Sequence, residues 1–207
     1  MTAFAPRGTV YGTLMNFRSE HEALGARMDE PPYKAPPRAP VLYVKPATTW
    51  SRGGDRIAVP AAAEEVELGA TIAMVMRAPG EVAGWVLLND LSLPHASFFR
   101  PAIKQRCFDG SLSIGDTLAR LDDPAALAIE VRVNGELRQT VRFDALVRNP
   151  QRLLADVSEF MTLGEGDMLM LGCEASRPRA RAGDTVELSA PGLGTLRNTL
   201  HAEEEVA

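Results

Sequence analysis

Cysteine and histidine are scarce in this sequence. The chain has two cysteines, Cys107 and Cys173, and three histidines among 207 residues. Two cysteines are too few for a disulfide scaffold or for a zinc site built from cysteines, and three histidines leave little room for a histidine-rich metal site. Carboxylates are therefore the residues to consider as metal ligands.

Long apolar runs, a basic charge balance and the common cofactor motifs are also missing. No run approaches the ~18 apolar residues that a membrane span needs, and no secretory signal pattern is visible at the N-terminus. The net charge of −5 argues against a nucleic-acid-binding protein. Dinucleotide-binding and phosphate-binding glycine loops, the nucleophile elbow and the His-Glu-x-x-His motif are all absent. We therefore expect a cytoplasmic protein with no organic cofactor, no nucleic-acid partner and no membrane association.

Many short β-strand patterns and two helix patterns are present. At roughly 150 residues per domain, the length predicts one domain over residues 1–207. The patterns predict strands over residues 9–14, 41–45, 65–76, 84–89, 128–133, 137–143, 168–171, 185–188 and 195–200, and helices over residues 19–28 and 150–161. Strand and helix do not alternate regularly. This order predicts a β-rich α+β fold with a rolled, barrel-like mixed sheet and few short helices.

Local signals mark a hairpin, a helix start and an irregular segment. Asn134-Gly135 lies between two strand patterns and predicts a β-hairpin, because both positions tolerate a positive φ. Asn149 is placed to cap the helix that begins at residue 150. Five of the ten residues from Pro31 to Pro40 are prolines, which excludes a helix or a central strand there. We expect an extended connector or a mobile lid over residues 29–40, and a charged tail over residues 201–207.

Three carboxylates are candidates for a metal site. Glu65 and Glu67 lie two residues apart, so on a strand they share one face. Together with Asp90 they form a donor set that suits Mg²⁺ or Mn²⁺. A solvated strand edge and a turn or cap role for Asp90 explain the same residues without a metal.

Basic residues and one histidine form a second group of candidates. Arg100, Lys104 and Arg106 are clustered in the sequence, and His21 lies in a polar helix pattern. Surface charges and a surface histidine are the simpler interpretation of these residues. At this stage both interpretations stay open.

Several short motifs follow one another along almost the whole chain. They are Gly12-Thr13-Leu14-Met15-Asn16-Phe17, Tyr43-Val44-Lys45-Pro46, Leu88-Asn89-Asp90-Leu91-Ser92, Asp109-Gly110, Val133-Asn134-Gly135-Glu136-Leu137-Arg138-Gln139, Ser158-Glu159-Phe160-Met161-Thr162-Leu163 and Gly166-Asp167. Each is weak alone, but the ordered set resembles the fumarylacetoacetate hydrolase family. Residues 31–37, 89–94 and 98–104 resemble a narrower group within it. That group is the N-terminal half, or separate N-terminal subunit, of the bifunctional isomerase/decarboxylases of 4-hydroxyphenylacetate catabolism.

The resemblance implies a rolled, mostly β fold and a bound Mg²⁺ or Mn²⁺. In the family the ion is held by a Glu-x-Glu pair on one strand and by an Asp that follows an Asn. Asp90 matches that Asp. An alignment without a gap puts the Glu positions on Gly69 and Thr71, which offer no carboxylate. Glu65 and Glu67 become ligands only if the strand register is shifted.

Other positions also depart from the family pattern. Glu20 stands where the family has a histidine, and His21 follows it. Arg106 stands where the family has a lysine, and it keeps the positive charge but cannot act as a base. Cys173 replaces a threonine and its hydroxyl donor. These departures imply a pocket that has lost the metal chemistry or has adapted to a milder reaction.

The first functional hypothesis is an isomerase (tautomerase) subunit. The resemblance implies keto-enol acids of the 5-carboxymethyl-2-hydroxymuconate or 2-hydroxyhepta-2,4-diene-1,7-dioate type as substrates. Glu20 or His21 would move the proton, Lys45 would pair with the enolate oxygen, and Arg106 would clamp a carboxylate. The further candidates for substrate binding are Arg100, Lys104 and Cys173. Decarboxylase activity follows as well if Asp90 holds a metal.

Two other hypotheses remain. In the first, the chain is a catalytically reduced paralogue that serves as structural partner of a metal-binding homologous subunit. The fused proteins of this group carry two such domains, which makes this pairing plausible. In the second, the chain is a metal-dependent acylpyruvate hydrolase. The absence of the family's Glu-x-Glu pair argues against this hypothesis. The resemblance implies a small keto-enol di- or tricarboxylate as ligand, and a homodimer or a heteromer with a homologous subunit.

Overall fold

The computed structural model describes residues 3–95 and 102–203. Within these ranges the α-helices are α1 (Arg18–Leu24), α2 (Ile103–Arg106) and α3 (Pro150–Ser158). The strands are β1 (Val10–Leu14), β2 (Val41–Lys45), β3 (Trp50–Arg52), β4 (Arg56–Val59), β5 (Val66–Glu67), β6 (Ala70–Ala78), β7 (Glu81–Asp90), β8 (Leu112–Ile114), β9 (Ala128–Val133), β10 (Glu136–Arg142), β11 (Met168–Met170), β12 (Arg179–Ala180), β13 (Thr185–Ala190) and β14 (Gly194–Ala202). None of these helices has the length and apolar character needed to cross a membrane.

Two mixed sheets form the body of the fold. The larger sheet has the order β2-β1-β11-β6-β7-β8-β3, the smaller has the order β10-β9-β13-β14-β4, and β5 pairs separately with β12. Side chains alternate between the two faces of each strand. One face of the larger sheet packs against the smaller sheet in the main core, a cluster that includes Ile72 of the larger sheet and Leu188 of the smaller. The other face surrounds a second cluster that includes Val86 and Leu88.

The larger sheet is strongly curled, as one ion pair demonstrates. Strands β2 and β7 are four places apart in the strand order, so in a flat sheet they would lie roughly 19 Å apart at about 4.8 Å per strand. Yet Lys45 Nζ at the end of β2 lies 2.9 Å from Asp90 Oδ1 at the end of β7. The sheet therefore rolls into a half-barrel. The expected β-rich α+β fold with a rolled sheet is confirmed.

The predicted hairpin and helix start are confirmed. Strands β9 and β10 pair on either side of Asn134 and Gly135, whose φ angles are 53° and 83°. The side chain of Asn149 accepts a hydrogen bond from the Arg152 N–H at 2.8 Å and caps α3. The predicted helix over residues 19–28 is α1 followed by one 3-10 turn.

The single strand predicted over residues 65–76 is wrong. The chain forms β5 there, which pairs with β12 outside the large sheet, and it enters the large sheet as β6 after Gly69. A side chain at Gly69 would meet the backbone oxygen of Asp90 at 2.3 Å, so only glycine permits this close approach. The sequence also failed to predict β3, β4, β8, β12 and α2, because these elements are too short to show periodicity.

The proline-rich segment forms turns and bends between residues 31 and 40. Arg148 ties it to the body of the fold by donating from Nη2 to the Arg38 carbonyl at 2.7 Å, while Arg148 Nε donates to Asp156 at 2.8 Å. No residue from 29 to 40 lines the cleft described below. The lid function of this segment stays a prediction.

Candidate active site

A buried cluster of charges lies on the concave face of the half-barrel, at the end of β7. Its centre is Asp90, which is fully buried. Asp90 Oδ1 lies 2.9 Å from Lys45 Nζ, and Oδ2 lies 3.2 Å from Arg106 Nη1 and accepts a hydrogen bond from the Tyr43 hydroxyl. Burial alone would raise the pKa of Asp90, but the charges of Lys45 and Arg106 outweigh it and lower the pKa below its ordinary value. Asp90 is therefore a carboxylate that two cations neutralise.

Lys45 is enclosed by this cluster. Besides Asp90, its ammonium contacts the Ser111 hydroxyl at 2.9 Å and the backbone carbonyl of Arg106. The ammonium group therefore has one ion-pair partner, Asp90, and hydrogen-bond acceptors on Arg106 and Ser111. The structure places Lys45 against Asp90 and outside the residues that line the cleft described below, and its pairing with an enolate oxygen stays a prediction.

A cleft of about 180 Å³ opens beside the charged cluster. At about 30 Å³ per molecule, this volume corresponds to about six waters. It is large enough for the reacting end of a small organic acid. The residues that line it are Glu20, Ala23, Leu24, Arg27, Glu67, His95, Arg106, Ala175 and Arg177.

Glu20 is the buried carboxyl group of this cleft. Its Oε2 accepts a hydrogen bond from the Met15 N–H at 2.6 Å, and its Oε1 lies 3.3 Å from Arg177 Nη2. Burial raises the pKa of Glu20 above its ordinary value of 4.5, although the charges of Arg177 and Arg106 oppose the rise. A carboxyl group with a raised pKa is suited to accept and return a proton near neutral pH.

Two buried guanidinium groups face the same cleft. Arg177 donates from Nε to the Glu174 carbonyl at 3.0 Å and lies 3.4 Å from the Ser92 hydroxyl. Arg106 is 2% exposed, and its Nε and Nη2 have no hydrogen-bond acceptor within residues 3–95 and 102–203. Guanidinium donors in a fixed plane match the two oxygens of a carboxylate. The pair therefore has the chemistry that binding of an organic anion requires.

Sequence reasoning did not select Arg177. The signal for it was the basic run of Arg177, Arg179 and Arg181 that follows β11. Such runs are most often exposed, and Arg179 and Arg181 are indeed mostly exposed. Only the rolled sheet, which brings this segment against α1, distinguishes Arg177 from its neighbours.

His21 lies outside the cleft. Its Nε2 faces the carbonyl oxygen of Met15 at 2.8 Å and so donates to it. One residue along a helix turns a side chain by about 100°, so Glu20 faces inward while His21 does not. The chain before α1 is held by Asn16, whose side-chain amide donates to the Leu171 carbonyl at 2.9 Å. Of the two predicted proton carriers, the structure brings only Glu20 to the cleft.

The three predicted metal ligands do not come together. Glu65 and Glu67 both face Arg179, at 2.5 and 3.4 Å. The strand register puts Gly69 opposite Asp90, whose N–H donates to the Gly69 carbonyl at 2.8 Å. Among the described residues no group of three His, Cys, Asp or Glu side chains is placed to hold a metal ion. Because nearby cations already neutralise all three carboxylates, this donor set does not fit Mg²⁺ or Mn²⁺, and the metal-ligand assignment is corrected.

The three residues predicted to bind substrate are Arg100, Lys104 and Cys173. Arg100 lies outside the described residues. Lys104 is exposed and lines a shallow depression next to Glu65, because two residues on a helix are about 200° apart and Arg106 takes the inward position. Cys173 is buried beneath the cleft, and burial raises the pKa of its thiol to about 12. Neither Lys104 nor Cys173 lines the cleft.

The chain resembles known proteins in both sequence and fold. Residues 9–201 match the family described as "Fumarylacetoacetate (FAA) hydrolase C-terminal". A 4-hydroxyphenylacetate degradation bifunctional isomerase/decarboxylase from Salmonella dublin is 38% identical over 211 residues, which cover 97% of this chain and 49% of that protein.

Two crystal structures with low sequence identity share the fold. A 5-carboxymethyl-2-hydroxymuconate delta-isomerase from Mycobacterium smegmatis superposes with a TM-score of 0.80 at 24% identity, covering 99% of this chain and 82% of that chain. A fumarylpyruvate hydrolase from Pseudomonas aeruginosa, in complex with Mn²⁺ and pyruvate, has a TM-score of 0.78 at 20% identity, covering 96% of this chain and 91% of that chain. This chain spans about half the length of the curated bifunctional relatives that it matches. By the match over residues 9–201, the chain belongs to the fumarylacetoacetate hydrolase family.

Proposed function

We propose that this chain is an isomerase (tautomerase) subunit for keto-enol acids of the 5-carboxymethyl-2-hydroxymuconate or 2-hydroxyhepta-2,4-diene-1,7-dioate type, in the catabolism of 4-hydroxyphenylacetate. The observation that carries the proposal is the cleft in which the buried Glu20 carboxyl lies beside two buried guanidinium groups, those of Arg106 and Arg177. The relative from Salmonella dublin, which is a bifunctional isomerase/decarboxylase of this catabolism, supports the choice of substrate.

The two arginines supply the charge that a polyanionic substrate needs. The lining of the cleft carries three arginines against two glutamates, which leaves a surplus of one positive charge. A carboxylate bound to Nε and Nη2 of Arg106 would pair with donors that no described residue occupies. Binding there also desolvates the acid and strengthens each charge-assisted hydrogen bond.

Glu20 is proposed to move the proton. As a carboxylate it takes the proton of the enol hydroxyl, and the electron pair of the O–H bond forms the C=O double bond of the ketone. The double bonds shift along the conjugated chain, and the protonated Glu20 returns the proton to carbon, where a C–H bond forms. Substrate and product are isomers, so no other reactant is needed. The raised pKa makes Glu20 a stronger base than an ordinary carboxylate.

The proposed step uses no divalent metal. The fumarylpyruvate hydrolase structure contains Mn²⁺ and pyruvate, whereas here the oxygens of Asp90 contact Lys45, Arg106 and Tyr43. For the same reason the geometry does not favour the acylpyruvate hydrolase hypothesis. Decarboxylase activity of this chain, which depends on a metal at Asp90, stays a prediction.

Substitution of Glu20 tests this proposal. Purified chain is mixed with 5-carboxymethyl-2-hydroxymuconate in the presence of EDTA, and ketonisation is followed by ultraviolet absorbance. We expect turnover by the wild type, and a loss of about 10²–10⁴-fold in kcat for Glu20→Gln, the usual contribution of a general acid–base group. Glu22→Gln is the matched control, because Glu22 lies on the same helix but is exposed. A folded wild-type chain that leaves the spectrum unchanged contradicts the proposal.

A second candidate function is a structural partner of a metal-binding homologous subunit. It is favoured by one observation, that the chain spans about half the length of the bifunctional relatives. Sedimentation of the purified chain separates the two proposals. A stable and active homodimer contradicts the structural-partner hypothesis, whereas activity that appears only after a homologous subunit is added supports it. The cytoplasmic location stays a prediction, which cell fractionation would test.

A further inference from the structure

Two contacts fix the guanidinium group of Arg106, a residue that lines the cleft. Nη1 lies 3.2 Å from Asp90 Oδ2. The flat face of the group stacks on the ring of Tyr43, with the central carbon 4.8 Å from the ring centre. Nε and Nη2 remain without an acceptor in the described chain.

Tyr43 is itself held from two sides. Its hydroxyl donates to Asp90 Oδ2, the same oxygen that accepts from Arg106. Its ring lies directly on β1 at Gly12, where a Cβ atom would be 2.0 Å from the ring carbon that bears the hydroxyl. Since real Cβ atoms do not approach ring atoms so closely, any residue other than glycine would displace the ring. Gly12, Tyr43 and Arg106 therefore form one stack.

We propose that Tyr43 is a positioning residue that holds Arg106 edge-on to the cleft for carboxylate recognition, and that Gly12 provides the space for its ring. The identity of the carboxylate as part of a keto-enol substrate rests on the proposed function, but the positioning itself does not. Without the ring, the guanidinium group can rotate about its side-chain bonds, and its donors no longer point together at the ligand. The effect should appear in ligand binding more than in the proton-transfer step.

The experiment measures two quantities in wild type, Tyr43→Leu, Tyr43→Phe and Gly12→Ala. The first is the dissociation constant of glutarate, an unreactive dicarboxylate, by calorimetry. The second is the division of the effect between KM and kcat for the keto-enol acid. For Tyr43→Leu and Gly12→Ala we expect glutarate Kd and KM to rise about tenfold, within the range of a desolvated cation–π contact, with kcat within about twofold. Tyr43→Phe keeps the ring and should stay within about threefold of wild type.

Controls separate positioning from stability. Tyr11→Leu removes a ring from the same strand pair, but that ring packs against the main core, so glutarate binding should be unchanged. If Tyr43→Leu does not fold, Tyr43→Met fills the space with a flexible side chain and takes its place. The inference is overturned if a folded Tyr43→Leu or Tyr43→Met variant binds glutarate with the wild-type Kd. It is also overturned if Tyr43→Phe loses as much glutarate affinity as Arg106→Gln does. Glutarate binding that depends on Tyr43, in a chain that does not turn over the keto-enol acid, contradicts only the proposed function.

Discussion

Replacing Asp90 with asparagine should strongly destabilise the protein. The substitution keeps the side-chain volume but removes the negative charge between Lys45 and Arg106, whose side chains are 0% and 3% exposed. Both cations then stay buried without a counter-charge. Removing one partner of a buried ion pair costs about 3–5 kcal/mol. At about 2–4 °C per kcal/mol for a chain of this length, Tm should fall by about 6–20 °C.

Thermal unfolding followed by circular dichroism, with EDTA and with Mg²⁺, measures this effect. Asp156→Asn is the matched control, since Asp156 pairs with Arg148 and with Arg152, and the latter is 68% exposed and keeps its hydration. Its Tm should fall less. If Asp90 instead belonged to a cluster of metal-binding carboxylates, Asp90→Asn would raise Tm in EDTA, and Mg²⁺ would stabilise only the wild type. Either result would refute the ion-pair argument.

The same substitution has a defined pH dependence. The folded-state pKa of Asp90 is lowered, so its ionised form stabilises the folded protein above the unfolded pKa of about 3.9. That stabilisation is lost as the pH falls through the lower folded value. The difference in Tm between wild type and Asp90→Asn should therefore have its largest value at neutral pH. It should become smaller as the pH falls through the folded-state pKa of Asp90.

Other predictions concern the cleft, the thiols and a helix cap. Arg177→Gln removes a charge that lowers the pKa of Glu20, so the acid limb of kcat/KM against pH should move to higher pH; an unmoved limb would show that another group titrates. Cys173 is buried with a thiol pKa of about 12, so a thiol reagent at pH 8 should modify Cys107 first, and Cys173 only after unfolding. Asn149→Ala should cost about 1 kcal/mol in urea unfolding; no change would mean that the cap does not stabilise α3.

Much of the fold was predictable because it depends on local patterns. The turn at Asn134-Gly135 and the cap at Asn149 were found correctly because each needs only a few adjacent residues of the right type. The strand over residues 65–76 was predicted wrongly because its break at Gly69 results from the close approach of Asp90, which is 21 positions away in the sequence. Contacts of this kind leave no local periodicity.

The candidate site was predicted only in part, for a similar reason. The resemblance singled out Glu20 and Arg106, and the helix position explains why Glu20 and not His21 faces the cleft. The ion pair between Lys45 and Asp90 was not predicted, because their proximity depends on the curl of the whole sheet. Arg177 was missed, because a basic run has the same appearance whether one of its members is buried or not.

The central claim is that Glu20 transfers the substrate proton without a divalent metal, and deuterium exchange tests it most directly. The keto-enol acid is incubated in D₂O and EDTA with chelator-stripped protein, and proton NMR follows deuterium incorporation at the carbon that is protonated in the keto form. We predict rapid incorporation with the wild type and with Glu22→Gln, the background rate with Glu20→Gln, and no acceleration when Mg²⁺ or Mn²⁺ is restored. Exchange that requires added metal, or that continues unchanged in Glu20→Gln, would contradict the account.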